Sequence, residues 1–235
     1  MTEAERRDER GDLTRRGLLA GAGAAVAGGV ALGAAGPITD AEAADASRIG
    51  TGPRGRTVVE FSSRISQTGD EGGTFTSYGF LTRVTGARAS DLFTGSARTA
   101  GTALFTAYAT GQLAARVIDQ AVHSIDIKGR LTVHQRRSPG ADFANPASFQ
   151  TGTVVARFDV TLLDVLTVFA PGQGLPTLTG DMHQTTAAEL SSGLAGKRFG
   201  LRGQRLRFFA TGIGSLTDPV HLNSVHEIAG NWSVE

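Results

Sequence analysis

From Thr57 onward, polar and apolar residues alternate along most of the chain, the pattern of strands that bury one face and expose the other. Thr57 to Ser66 sets Val59, Phe61 and Ile65 against Glu60, Ser62 and Arg64. A Gly- and Asp-rich turn, Gln67 to Gly73, precedes a second strand from Thr74 to Val84. That strand carries Tyr78, Phe80 and Val84 on one face with Thr76 and Thr82. Gly86 to Gly101 reads as a loop, and Thr102 to Ile118 as one long bent strand or as a hairpin around Thr110-Gly111. Ala121 to Gln135 predicts a hairpin with its turn at Lys128-Gly129, where Gly tolerates the positive φ of tight turns. Arg136 to Gln150 predicts a long loop.

Gly152 to Ala170 is a β-branched strand that Pro171-Gly172-Gln173-Gly174 ends. Leu178 to Leu190 follows as a strand, its last residues from Thr186 reading equally as helix. Gly193 to Gly203 is turn-rich, Arg205 to Thr211 alternates, Gly212 to Pro219 reads as a loop, and Asn223 to Val234 is the final strand. The sum is an all-β domain over residues 57–235, with no amphipathic helix. The spacing predicts an antiparallel lipocalin-like (calycin-type) barrel of about eight strands, since closure removes edge strands that invite aggregation.

The first 46 residues follow a different pattern. Arg15-Arg16 stands before a charge-free run of Ala and Gly from Gly17 to Thr39, and A-x-A sites follow at Ala41-Glu42-Ala43 and Ala44-Asp45-Ala46. Ala and Gly lack the favourable insertion energy of Leu, Ile and Phe in a membrane anchor. Residues 1–46 therefore read as a twin-arginine (Tat) signal peptide, with Arg15, Arg16, Ala41 and Ala43 as its working positions. Residues 47–56 form a Gly/Pro linker. The expected location is secreted or extracytoplasmic. The Tat translocase is the partner during export, and no stable membrane insertion is expected after cleavage.

Composition narrows the classes. Beyond Ala43 the chain holds 18 basic and 15 acidic residues, too mild a balance for a nucleic-acid partner. The densest basic stretch, Lys197 to Arg207, reads as a solvated surface. The absence of Cys excludes disulfides, thiolate metal sites and a Cys nucleophile.

Gly174-Leu175-Pro176-Thr177-Leu178-Thr179-Gly180-Asp181, Arg198-Phe199-Gly200 and Ala229-Gly230-Asn231-Trp232 resemble the bacterial relatives of allene oxide cyclase and dirigent proteins. The resemblance covers the last third of the chain. It implies an eight-stranded barrel with an apolar cavity and a cofactor-free cyclase or isomerase activity. The Thr-Gly-Gly…Phe…Gly-Ala…Gly run of dirigent proteins is absent, Gly193, Gly196 and Phe199 being its nearest echo. The Cys of the plant cyclases has no counterpart, so no catalytic residue is carried over.

Two sets of side chains are candidates for a site. Tyr78, Phe80, Tyr108, Phe158, Phe208, His226 and Trp232 are the expected ligand-binding residues, polar-tipped aromatics among aliphatics being common in ligand pockets. The predicted hairpin would set His123 opposite His134, at Cβ separations of about 4.5–5.5 Å, as a two-His metal pair lacking further ligands. Glu60, Asp126, Asp159, Asp181 and His183 could serve acid–base chemistry, yet none is paired by spacing. No Gly-x-Ser-x-Gly elbow is present, and the Gly-x-Gly pairs at 172–174 and 212–214 lack the helix and third Gly of a dinucleotide site. No cofactor is expected. The sequence supports, in order, an exported barrel binding a small apolar molecule, a cofactor-free cyclase or isomerase, and a packed barrel acting through its surface, as an oligomer or with another exported protein.

Overall fold

A computed structural model describes residues 47–235. The stretch read as a signal peptide, with Arg15, Arg16, Ala41 and Ala43, lies outside the described residues. Eight long antiparallel strands close on themselves as a barrel. In chain order they are β2 (Thr57–Thr68), β3 (Thr74–Val84), β4 (Phe105–Asp119), β5 (Val122–Gln135), β6 (Thr153–Ala170), β7 (Gln173–Ala187), β9 (Arg205–Asp218) and β10 (Asn223–Val234). β10 pairs with both β9 and β2, which shuts the ring. A short parallel pair, β1 (Arg48–Ile49) with β8 (Arg198–Phe199), forms a separate two-stranded sheet.

The two ends of the barrel differ. At one end four short hairpin turns, at 69–73, 120–121, 171–172 and 219–222, join successive strands. At the other, longer segments cross and close the barrel. Ile49 and Phe199 of the β1–β8 pair are buried there, and the Phe199 ring lies 6.3 Å from that of Phe105. Gln184 ties this end down, donating to the carbonyls of Phe199 and Thr186 while its Oε1 accepts from Leu201 N.

Inside, the middle of the barrel is packed. Phe61, Phe158, Phe208 and Trp232 interlock at centroid distances of 5.2–6.0 Å. Burying each such ring stabilises the fold by roughly 1.5–3 kcal/mol. A second apolar layer lies outside β3 and β4. Phe93, just after helix α1 (Ala89–Leu92), and Phe143 and Phe149 of the β5–β6 connection cover Tyr78 and Phe80.

Several expected turns are strand interiors. Lys128-Gly129 is not a hairpin turn, because β5 runs unbroken through it, Gly129 opposing Gly111 on β4 and Val160 on β6. Glycine is required there for close approach of backbones: a Cβ on Gly129 would stand 2.3 Å from Thr110 O, and one on Gly111 2.5 Å from Lys128 O. The actual turn is Gln120-Ala121. Gly212 repeats the case. β9 continues through it to Asp218, and a Cβ on Gly212 would meet Glu227 O at 1.8 Å. Thr102 to Ile118 resolves into one bent strand, β4, with a register shift between Leu113 and Ala115. β7 begins at Gln173, so only Pro171-Gly172 turns, and it ends at Ala187 without a helix.

Candidate functional site at the hairpin end

At the hairpin end the inward faces of four strands bring polar side chains into an apolar interior. β2 contributes Gln67, β4 Arg116, β6 Asp164, and β10 Ser224 and His226. Asp164 is placed by simple alternation: Phe158, Val160 and Leu162 point inward on the same strand, and its cross-strand neighbours Ile125 and Leu178 are fully buried. Arg116 points inward because the irregularity after Leu113 reverses the parity of β4.

The side chains form a chain of contacts. Arg116 Nη2 donates to Gln67 Oε1 at 3.4 Å, and Gln67 Nε2 donates to Asp164 Oδ2 at 3.2 Å. The same Oδ2 lies 3.7 Å from His226 Nδ1. Arg116 Nε lies 3.6 Å from Asp70 Oδ1 in the β2–β3 turn, too far for a hydrogen bond. The Arg116 side chain is only 6 % exposed, and those of Asp164 and His226 are 0 % and 1 %. Four buried polar atoms in this cluster have no protein partner: Arg116 Nε, Asp164 Oδ1, and both ring nitrogens of His226. Each such atom costs about 1–3 kcal/mol when left unpaired.

Above the cluster lies a cavity of about 180 Å³. Its walls are Leu166, Val168, Leu216 and Leu222, and Arg116, Ser224 and His226 contribute polar lining, with His123 and Gln173 nearby. For scale, an engineered apolar cavity of about 150 Å³ holds benzene. Glycines at 172, 174 and 214 keep it open. A Cβ at Gly214 would stand 2.9 Å from His226 Cδ2 and 3.2 Å from Nε2, so this edge of the imidazole faces the cavity wall. Nδ1 faces back toward Asp164, which stands behind the histidine.

Burial sets the charges. It pushes the Asp164 carboxyl up to about 6, against the opposing influence of the Gln67 hydrogen bond and the Arg116 charge. It also pushes His226 down to about 4, with the Arg116 charge adding to the effect. Near neutral pH the site thus holds a guanidinium, a carboxylate and a neutral imidazole, and the 3.7 Å approach of His226 to Asp164 is not an ion pair. Burial, then Arg116, lowers His123 as well.

The expected residues are distributed over several places. His226, Phe158, Phe208 and Trp232 face inward, but only His226 borders the open-end cavity. Tyr78, Phe80 and Tyr108 belong to the outer face: Tyr78 opposes Tyr108 on β4 and Arg64 on β2, whose guanidinium pairs outside with Glu227. Phe80 and Tyr108 border a central crevice of about 20 Å³, room for one water. His123 and His134 do not form a pair. They lie on one strand eleven residues apart, roughly 35 Å by strand rise, and their neighbours across the sheet are Ile118 and Thr106. Among the described residues no three His, Asp or Glu side chains converge to hold a metal ion. Glu60, Asp159 and Asp181 form ion pairs with Arg83, Arg130 and Arg207 on the outer surface, while Asp126 and His183 are exposed.

Comparison of the chain with protein-family models, with characterised proteins and with solved structures gives no match. What fold and site define is a closed eight-stranded antiparallel barrel, packed in the middle, with a polar-floored cavity at its hairpin end.

Proposed function

We propose that this protein binds a small, mainly apolar molecule carrying one oxygenated group, held in the cavity at the hairpin end. The observation that carries this reading is the pairing of aliphatic walls with a buried floor whose polar atoms have no protein partner. A ligand oxygen would accept from the Arg116 guanidinium at the polar side of the cavity, and the walls would take its hydrocarbon part. Titration of the full chain with cyclohexanone, followed by amide NMR, tests it. Saturable shifts at Gly172, Gly174, Ser215 and Ser224, lost in Gly214→Leu, are expected; no saturable shift would remove the reading and leave a barrel that acts through its outer surface.

The location proposed is extracytoplasmic, reached through the Tat translocase, and Arg15-Arg16 ahead of the Ala/Gly run supports it. A fusion of residues 1–47 to a reporter that must fold before export tests this route. Replacing both arginines by Lys should stop export, and continued export would exclude the route. The cofactor-free isomerase reading is favoured by one specific observation, the carboxylate standing behind the cavity histidine.

A further inference from the structure

We infer that His226 and Asp164 form an acid–base dyad that moves a proton between two carbons of a bound unsaturated ketone. The inference rests on the binding reading above and adds a reaction to it. Three features of the geometry support it. The Nε2–Cδ2 edge of His226 faces Gly214, and both residues line the cavity, whereas Nδ1 faces Asp164 Oδ2 at 3.7 Å. Neither imidazole nitrogen has a hydrogen-bond partner and both are buried, but the ring borders the cavity. A small turn of the imidazole away from Gly214 therefore brings Nε2 to the substrate while Nδ1 stays toward the carboxylate. Arg116 lines the same cavity and brings a fixed cation to it.

The charge balance fits proton abstraction rather than capture of an anion. The floor already holds Asp164, and Asp70 stands beside Arg116, so a ligand carboxylate would meet two others. A neutral ketone meets a different arrangement. His226 Nε2 takes the proton from the carbon between the carbonyl and the double bond. The released electron pair moves onto the carbonyl oxygen, which accepts a hydrogen bond from the Arg116 guanidinium. The imidazolium formed is balanced by the Asp164 carboxylate, and the approach at Nδ1 shortens as that charge develops, as is common when a free site is engaged. Nε2 then returns the same proton to the far carbon of the former double bond. The product is the conjugated ketone, the imidazole is neutral again, and no oxidant or cofactor enters. His226 is the catalytic base and acid, and Asp164 acts through it as a positioning residue.

The titratable and charged groups facing this spot are Arg116 from β4, His123 from β5, Asp164 from β6 and His226 from β10, with Asp70 at the turn. The test uses the full chain with cyclohex-3-enone, whose conversion to cyclohex-2-enone is read by ultraviolet absorption, and with cyclohexanone as a non-isomerising ligand. The wild type should accelerate the conversion. His226→Gln should lose about 10²–10⁴-fold in kcat while keeping the amide spectrum of the folded barrel. Asp164→Asn should lower kcat with KM unchanged and should abolish the acid limb of the rate profile near pH 6, a change that loss of packing alone does not produce. Gly214→Ala, which presses a methyl group against His226, should lose turnover as a second variant should His226→Gln fail to fold. Binding of cyclohexanone by wild type without isomerisation would overturn the dyad and leave the binding reading standing. Absence of cyclohexanone binding would remove both.

Discussion

Asp164 and His226 prefer opposite proton states on burial, and their opposition has a measurable consequence for stability. Asp164 has a folded value near 6 against an ordinary 3.8, so it contributes stability that is complete below 3.8 and lost as pH rises through 6. His226 has a folded value near 4 against 6.5, so its contribution is present above 6.5 and lost as pH falls through 4. Between about pH 4 and 6 one slope cancels the other. In Asp164→Asn the histidine stands alone, and urea unfolding should show stability falling from pH 6.5 toward 4 with a slope approaching about 1.4 kcal/mol per pH unit. Parallel pH profiles for variant and wild type would contradict the assignment. Asp164 was legible in the sequence, since the alternation of Phe158, Val160 and Leu162 extends to it. Gln67 is hidden only by its assignment to the turn, and β2 in fact runs to Thr68. Arg116 was not legible, because strict alternation from Leu113 turns it outward and only the irregularity in β4 turns it in.

At the scale of elements, the misplaced turns share one cause, a glycine inside a strand. Strands without an interior glycine, such as β6, are placed correctly by their pattern. Where Gly lies at an inward position and neighbouring backbones nearly touch, as at Gly111, Gly129 and Gly212, the same residue type reads as a turn. Gly79 and Gly230 are as close to their neighbours, but they sit within alternation strong enough to carry the strand through them. The distinction can be tested at Gly129. Gly129→Asn would be tolerated in a two-residue hairpin turn, but in β5 its Cβ would collide with Thr110 O. A loss of roughly 1–3 kcal/mol in urea unfolding is therefore expected, and an unchanged midpoint would restore the turn. The outer layer makes a separate prediction. Phe149 is fully buried against Tyr78 and Phe143, and its carbonyl accepts from Thr106 Oγ1 at 2.8 Å. Phe149→Ala should cost about 3–5 kcal/mol yet leave cyclohexanone affinity unchanged, because this layer lies outside the barrel wall. Calorimetry and the NMR titration together check both halves.

For the whole molecule, the decisive fact is that the barrel is neither hollow throughout nor solid throughout. Its aromatic middle closes on Trp232, Phe61, Phe158 and Phe208, and the space left there is about 20 Å³. The cavity of about 180 Å³ lies at the hairpin end around His226. Trp232 and His226 share β10 and its inward face, six residues apart, a separation of roughly 20 Å along the strand. The single tryptophan therefore reports on the packed middle and not on the cavity. An antiparallel barrel of eight strands held by non-local pairing has no free edge, so little slack exists to carry a change at one end into the middle. Saturating cyclohexanone should shift the amides at 172–174 and 214–216 and leave the emission maximum of Trp232 in place. A shift in that maximum, in parallel with the amide titration, would put the ligand among the aromatic rings. It would require the middle of the barrel to open, and the site at His226 would then no longer be where binding occurs.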